Sequence, residues 1–497
     1  MAPVWRVKDL HGKLTPMRNE IYHSLRRWLR YLSTSPPVIA TGVATTAALV
    51  IGQFASCVLP SVTGVVVPLM AAGFLVSYIV AIPVTSMLQD TKEPPPAARI
   101  ISFRRRQVLA RLSGDMSSER MARLKANYER AKGEMLELQQ GFVKQLRNKE
   151  KNLPRSDRHR LLQQPAWTAV LPTSSDSGRR LVLGLRNAGC SYRRSSPPGC
   201  FVCGFNARIL HSMQPQAADL DRQLRRALFE AAQEEYDALE FLGDGSFLND
   251  AEIGDETKRR LFVRINRAEH IRRILVESRP GDVDVGDLEI LTNSLTRGQE
   301  IEIGIGLETA DDHIRQYCLN KGFRRRDFEE ALDLLENQVE NPERISVVAY
   351  LLLKPPFLNE EESLSDIVKT LSYLSELQRT HRVRIIPKIE PAVVTRGTVL
   401  ESLLKERKYD PVSFWTVVEV IARAHELGFG SILRIGGRYD MYEAERIPGV
   451  YSQEVVGMLD QYDFLVYNSV MAYNRHHDLV RLLADVGTSR QQGCFSR

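Results

Sequence analysis

From Arg180 onward, short apolar runs alternate with amphipathic stretches, and this alternation constrains the fold more than any other feature of the chain. The apolar runs fall at Leu181–Leu185, Ala238–Leu242, Ile274–Glu277, Ile301–Ile305, Val347–Leu353 and Val383–Ile389. Runs this short, bounded by turn residues, read as strands buried in a sheet. Between them lie Leu220–Glu235, Lys258–Ala268, Asp327–Asn337 and Leu364–Leu377, each with the spacing of a helix that buries one stripe. Strands joined by helices need crossover connections, so the sheet is predicted to be parallel with helices outside. Right-handed crossovers curl such units into a full or partial barrel. The predicted class is α/β.

Upstream lies a stretch of different character. Tyr31 to Gln89 contains no Asp, Glu, Lys or Arg. A helix crosses a bilayer with roughly 20 apolar residues, and the stretch divides at Leu59-Pro60-Ser61 into Pro37–Val58 and Val62–Leu88. Arg26, Arg27 and Arg30 precede it; Lys92, Arg99 and Arg104-Arg105-Arg106 follow. The positive-inside tendency then puts both ends on the cytoplasmic side. The expectation is an N-terminal transmembrane helical hairpin that anchors the protein to a membrane, its folded core cytoplasmic. Residues Ser117–Lys149 read as an exposed polar spacer helix, and Asn152–Gly178 as a linker. The expected organisation is a basic N-terminus (1–30), a two-helix anchor (31–89), a polar helix and linker (90–178), a core (179–410) and a C-terminal α/β appendage (411–497).

The net charge of +6 is compatible with nucleic acid or an anionic surface and diagnostic of neither. Cysteine usage says more. Of six cysteines, Cys190, Cys200 and Cys203 fall within fourteen residues, in LVLGLRNAGCSYRRSSPPGCFVCGFN (Leu181–Asn206). That is no disulfide scaffold. A strand enters the segment and the cysteines lie on the loop after it, where α/β barrels collect their chemistry. The spacing leaves a [4Fe–4S] cluster and a zinc ion equally open; zinc would need a fourth ligand, with His211 the candidate. Cys57, Cys318 and Cys494 read as bystanders.

The later strand ends carry a resemblance. FLGDGSFLND (Phe241–Asp250), LVESRPGDV (Leu275–Val283), EIEIGIGLETADDHIRQYCLNKGF (Glu300–Phe323) and YLLLKPPFLNEEE (Tyr350–Glu362) follow one another in this order. Together with the cysteine spacing, this resembles the Elongator-catalytic-subunit-like branch of radical S-adenosylmethionine (SAM) proteins. Within that branch it is similar to the archaeosine-biosynthesis radical SAM family. The likeness covers about Leu181 to Leu427. It implies a partial (β/α)6 radical SAM barrel with a [4Fe–4S] cluster on Cys190, Cys200 and Cys203. The open iron would hold SAM, and one electron from an external donor would release a 5′-deoxyadenosyl radical. By the same resemblance Gly243, Asp244, Gly245 and Ser246 face the methionine end of SAM. Glu277, Ser278 and Arg279 face its ribose and carboxylate, and Glu308 belongs to the same set. Asn320, Lys321 and Lys354 are expected substrate contacts.

The nearest family implies transfer RNA as the substrate-bearing partner and radical carbon–nitrogen cleavage as the reaction. Arg179-Arg180, Arg193-Arg194, Arg225-Arg226 and Arg324-Arg325-Arg326 are the candidate phosphate contacts. Two alternatives stand beside this reading: the same chemistry on a lipid or small molecule, suited to a membrane anchor, and a non-catalytic Fe–S or zinc protein.

Overall fold

A computed structural model of the chain describes residues 117–171, 178–204, 210–243, 245–339, 341–395, 397–436 and 461–491. Eight strands form one sheet, ordered in space as in sequence. They are β1 (Trp167–Leu171), β2 (Arg180–Leu185), β3 (Ala238–Gly243), β4 (Arg273–Ser278), β5 (Glu300–Glu308), β6 (Ile345–Leu353), β7 (Arg384–Pro391) and β8 (Arg434–Ile435). The edge strand β1 runs antiparallel to β2, and every later pair is parallel.

The helices are α1 (Ser118–Lys151), α2 (Arg155–Gln163), α3 (Ser191–Ser195), α4 (Ala217–Glu230), α5 (Asp255–Ile265), α6 (Val285–Asn293) and α7 (Asp312–Tyr317). Then come α8 (Arg325–Asn337), α9 (Glu360–Thr380), α10 (Val399–Lys405), α11 (Phe414–Glu426), α12 (Gln461–His476) and α13 (Leu479–Gln491). The α9 N-terminus shows how local chemistry sets a boundary. Asn359 accepts from the Glu362 backbone amide while the Glu362 carboxylate accepts from that of Asn359, which satisfies two otherwise orphaned donors.

Side chains alternate across a strand, and the two faces of this sheet differ sharply. One carries Leu181, Leu183, Leu239, Phe241, Ile274, Val276, Ile303, Val347, Leu351 and Ile385, all buried in one apolar core with the helices. The ladder register puts Arg180, Glu240, Glu277, Glu302, Tyr350, Lys388 and Arg434 on the other. Arg434 on β8 donates to both carboxylate oxygens of Glu302 on β5, each at 2.7 Å, and both residues are buried. In a flat sheet strands three places apart lie about 14 Å from each other. The sheet must therefore curl, with the charged face concave.

The partial barrel agrees with the expectation, and three expectations change. The stretch read as a linker holds α2 and the edge strand β1. The stretch read as an appendage contributes β8 to the same sheet; Asn474 of α12 accepts from the Ile435 amide (2.9 Å) and donates to its carbonyl (2.6 Å). Helix α1 is no exposed spacer either, since Leu124, Tyr128, Ala131 and Met135 are buried at 0–8% exposure. The expected membrane location is also corrected: among the described residues no helix is long and apolar enough to cross a membrane. Residues 31–89, the expected hairpin, lie outside the described residues.

Candidate active site

The cysteine loop leaves the carboxyl end of β2. Cys190 caps α3, and Cys200 and Cys203 follow the turn at Gly199; all three are partly buried free thiols. Neighbouring elements hold the loop from every side. The Phe201 amide donates to Leu319 O (2.9 Å), and the Val399 amide donates to Phe201 O (3.1 Å). Asn320 Nδ2 donates to Gly199 O (2.8 Å), while Tyr192 Oη donates to Asn320 O (2.9 Å). Helix α1 covers the loop. The Tyr128 ring lies 5.6 Å from that of Phe201, and its hydroxyl donates to Asn320 Oδ1 (3.2 Å). Burial pushes the Cys190 thiol above its ordinary range, and the Glu252 carboxylate adds to the effect. The Arg193 guanidinium, whose affinity for its proton burial lowers, sits within electrostatic reach of all three thiols.

The turn after β3 packs directly on this loop through a residue the sequence did not single out. One oxygen of Glu252 accepts from the Ser191 amide and the other from the Ser246 amide, each at 2.6 Å. The carboxylate thus pins the residue after Cys190 to the glycine turn. A Cβ on Gly245 would stand 1.8 Å from Glu252 Oε2 and 3.1 Å from the Cys190 Cα, so only glycine fits there. Gly243 meets no such obstacle, and Asp244 lies outside the described residues. Burial raises the pKa of Glu252, against the two amides that lower it. A carboxylate seven residues beyond Gly245 has no periodic signature; only the fold brings it back.

The ends of β4 and β5 complete the rim. Ser246 Oγ and Ser278 Oγ are 2.8 Å apart, and the Arg279 amide donates to Ser246 Oγ (3.2 Å). The Arg279 guanidinium lies over the Tyr192 ring at 4.2 Å and donates to Lys321 O (2.8 Å), which fixes its orientation. Glu308 ends β5 at φ 63°. That left-handed backbone costs about 1–2 kcal/mol in a residue with a side chain. Its carboxylate is paired with Lys321 Nζ at 2.7 Å. Burial alone would lower the lysine pKa; Glu308 and Cys200 raise it instead, and the raising wins. Inward on β5, Gly304 and Gly306 leave room where Cβ atoms would meet Tyr350 Oη at 2.8 Å and Glu308 Oε1 at 2.7 Å.

Glu277 faces the concave side among the groups acting on Tyr350. Burial, then Glu277, Glu240 and Glu390, push that phenol well above its usual range. All three expected substrate contacts are otherwise engaged, Lys321 with Glu308 as above. Asn320 is buried as the brace between α1 and the cysteine loop. Lys354 is buried, donates to Glu360 Oε2 (3.1 Å) and lies over Tyr409 at 5.4 Å. The expected phosphate contacts are largely engaged too. Arg193 donates to Gln139 Oε1 (3.3 Å) and Arg194 to Ala188 O (2.9 Å). Arg179, Arg226, Arg325 and Arg326 pair with Glu234, Glu230, Glu329 and Glu330.

No family model matches the chain. Curated relatives do. The archaeosine synthase subunit beta of Methanosarcina acetivorans is 26% identical over 259 residues, 52% of this chain and 70% of that protein. The subunit of the same name from Thermococcus kodakarensis is 26% identical over 264 residues, 51% of this chain and 75% of that one. An uncharacterized protein of Methanocaldococcus jannaschii is 28% identical over 251 residues, 49% of this chain and 64% of that one. This chain is therefore similar to archaeosine synthase beta subunits over about half its length. Among solved structures, the archaeal Elp3 of Methanocaldococcus infernus aligns with TM-score 0.32 at 17% identity, over 43% of this chain and 51% of that one. The radical SAM methyltransferase TsrM of Kitasatospora setae aligns with TM-score 0.28 at 14% identity, over 43% of this chain and 35% of that one. Likenesses that slight carry no further weight.

A [4Fe–4S] cluster is held by cysteine thiolates, and the cysteine loop offers three. Among the described residues, one group of three or more His, Cys, Asp or Glu ligand atoms lies within 4.8 Å of one another, and it is Asp250, Asp255 and Asp287. At least one pair of the three cysteine sulfurs is therefore wider than that. Thiolates around a single zinc at about 2.3 Å would sit about 3.8 Å apart. As placed, the three sulfurs are too far apart to share one zinc ion.

Proposed function

We propose that this protein is a radical SAM enzyme that acts on a base of transfer RNA, with Cys190, Cys200 and Cys203 holding a [4Fe–4S] cluster. The observation that carries the site assignment is the placement of three partly buried free thiols on one loop at the carboxyl end of the first parallel strand. When bound, the cluster and SAM supply a 5′-deoxyadenosyl radical that abstracts a hydrogen atom from the substrate. The rest falls to the protein.

Gly245 and Ser246 bring backbone within reach of the first ligand. Ser278 and the clamped Arg279 form the neighbouring wall, with Glu277 below it. The Glu308–Lys321 pair places an ammonium beside Cys200, where it offsets the charge of a thiolate-bound cluster. Helix α1 roofs the loop and keeps water from its outer side. Support for the RNA substrate comes from the two archaeosine synthase relatives, whose matches span about half of this chain.

The test uses the full chain, reconstituted with iron and sulfide without oxygen. It should hold about four irons and cleave SAM to methionine and 5′-deoxyadenosine under dithionite. Cys190→Ala, Cys200→Ala and Cys203→Ala should each abolish cleavage, while Cys318→Ala should retain it, because Cys318 is fully buried among Ile314, Leu319 and Leu358. Stoichiometric zinc without labile iron, or equal loss at Cys318, would refute the ligand assignment.

A further inference from the structure

The cations that sequence offered for RNA contact mostly have partners, and the pattern extends across the surface. Arg226, Arg260, Arg325, Arg326, Lys405 and Lys408 pair with Glu230, Glu256, Glu329, Glu330, Glu401 and Glu406. Arg225, Arg259, Arg267, Arg297, Arg379 and Arg407 are exposed without a carboxylate partner among the described residues, but they are scattered, whereas one stretch gathers six such cations. Lys144, Arg147, Lys149 and Lys151 at the end of α1, with Arg155 and Arg158 at the start of α2, are all exposed. Residues 144–160 contain two carboxylates, Glu150 and Asp157. Asp157 pairs with Arg160. Glu150 is buried and turned inward, accepting from the His211 amide (2.9 Å), the Ser212 amide (2.7 Å) and Ser212 Oγ (2.6 Å). None of the six exposed cations has a carboxylate partner among the described residues.

Lys144, Arg147 and Lys151 follow an i, i+3, i+7 spacing, so they share one face over about 10 Å of helix. A surface evolved merely to stay soluble intersperses charges of both signs. A stripe of unpaired cations matches the charge of a phosphate backbone. The stripe is also fixed relative to the candidate site. The same helix carries Tyr128 and Gln139 against the cysteine loop, and Glu150 ties its end to the segment just beyond that loop.

We infer that this α1–α2 ridge is a docking surface for the phosphate backbone of the transfer RNA, holding the molecule beside the barrel mouth. The inference rests on the RNA reading above. The ridge lacks exposed aromatic side chains, so it positions RNA without reading bases.

The experiment compares three reconstituted full-length proteins binding unfractionated tRNA across a salt series. The first is wild type. The second has Lys144, Arg147, Lys149, Lys151, Arg155 and Arg158 all changed to Gln. The third has the six paired cations Arg226, Arg260, Arg325, Arg326, Lys405 and Lys408 changed to Gln, which removes the same net charge. The ridge variant should bind tRNA at least about tenfold more weakly, and its slope of log affinity against log salt should fall by about 2 to 5. Its iron content and RNA-free SAM cleavage should match wild type, which separates lost docking from lost folding. The third protein should bind nearly as wild type. Equal weakening of both variants, or of neither, overturns the ridge while leaving the RNA reading intact. Absence of salt-sensitive tRNA binding by wild type overturns the RNA reading itself.

Discussion

Asp366 gives the sharpest test of how the fold is balanced around the candidate site. It lies on α9, buried at 5% exposure, behind the end of β5. Its Oδ1 accepts from Thr309 Oγ1 (2.6 Å), and Thr309 follows Glu308. Its Oδ2 has no hydrogen-bond partner among the described residues. Burial, reinforced by Asp311, raises its pKa from 3.8 to about 7, despite the hydrogen bond from Thr309 and the charges of Arg120 and Arg315. A carboxyl group whose folded pKa exceeds its unfolded value favours folding relative to the ionised form. That advantage is complete below the unfolded value and is lost as pH rises through the folded one. The interval corresponds to on the order of 4 kcal/mol. Asp366→Asn keeps the acceptor for Thr309 and removes the charge. Measured by urea unfolding, the variant should gain about 3 kcal/mol on wild type between about pH 4.5 and pH 8. Other titrating groups, including Asp287, are common to both proteins and cancel. A gap independent of pH, or a variant less stable than wild type at pH 8, would show that Asp366 is comfortably ionised and the burial argument mistaken.

Two further outcomes follow from side chains facing the site. Glu252→Ala leaves the Ser191 and Ser246 amides without their acceptor, a cost of about 2–4 kcal/mol, and Glu252→Gln should lose about half as much because one oxygen remains. Thermal unfolding measures the first effect, and iron retained after gel filtration measures the loosening of Cys190; unchanged iron in the Ala variant would mean the pin is dispensable. Tyr350→Phe should leave stability unchanged or raise it by about 1 kcal/mol, since the phenol hydroxyl is buried without a hydrogen-bond partner among the described residues. A clear loss of stability would show that this hydroxyl is satisfied within the folded protein.

The parts of the fold legible in sequence were those in which one strand is self-sufficient. EIEIGIGLE, Glu300–Glu308, has the length and branched residues of a buried strand, and the structure makes it β5. The loop after β2 was legible because three cysteines so close leave few other uses. What escaped depends on partners remote in sequence. Glu240 of β3 and the alternating Glu300 and Glu302 of β5 were visible as letters, but the Arg434 that neutralises Glu302 is 132 residues away. Asn320 and Lys354 carried the chemistry of substrate contacts, and packing assigned both to bracing. Helix α1 was misread for another reason. Its stripe Leu124, Tyr128, Ala131, Met135 has helical spacing but is narrow, and its buried Gln139 and Glu150 count as polar in any hydropathy reading.

The arginine doublets show the same limit from the opposite side. A doublet draws the eye because two charges adjoin, yet helix neighbours are three and four residues apart. Arg325 and Arg326 each find a glutamate at i+4, and Arg226 does likewise. Such cations offer a polyanion little, because binding must first displace an existing partner, and each exposed pair already recovers up to about 1 kcal/mol. In α1 the single acid at the end of the helix is turned inward to hold the His211–Ser212 segment. That inward turn both fastens the helix beside the cysteine loop and leaves Arg147, Lys149 and Lys151 without a carboxylate in reach. Fastening and exposed charge are thus two consequences of one buried glutamate. Glu150→Gln should weaken the fastening while leaving the exposed cations unpaired.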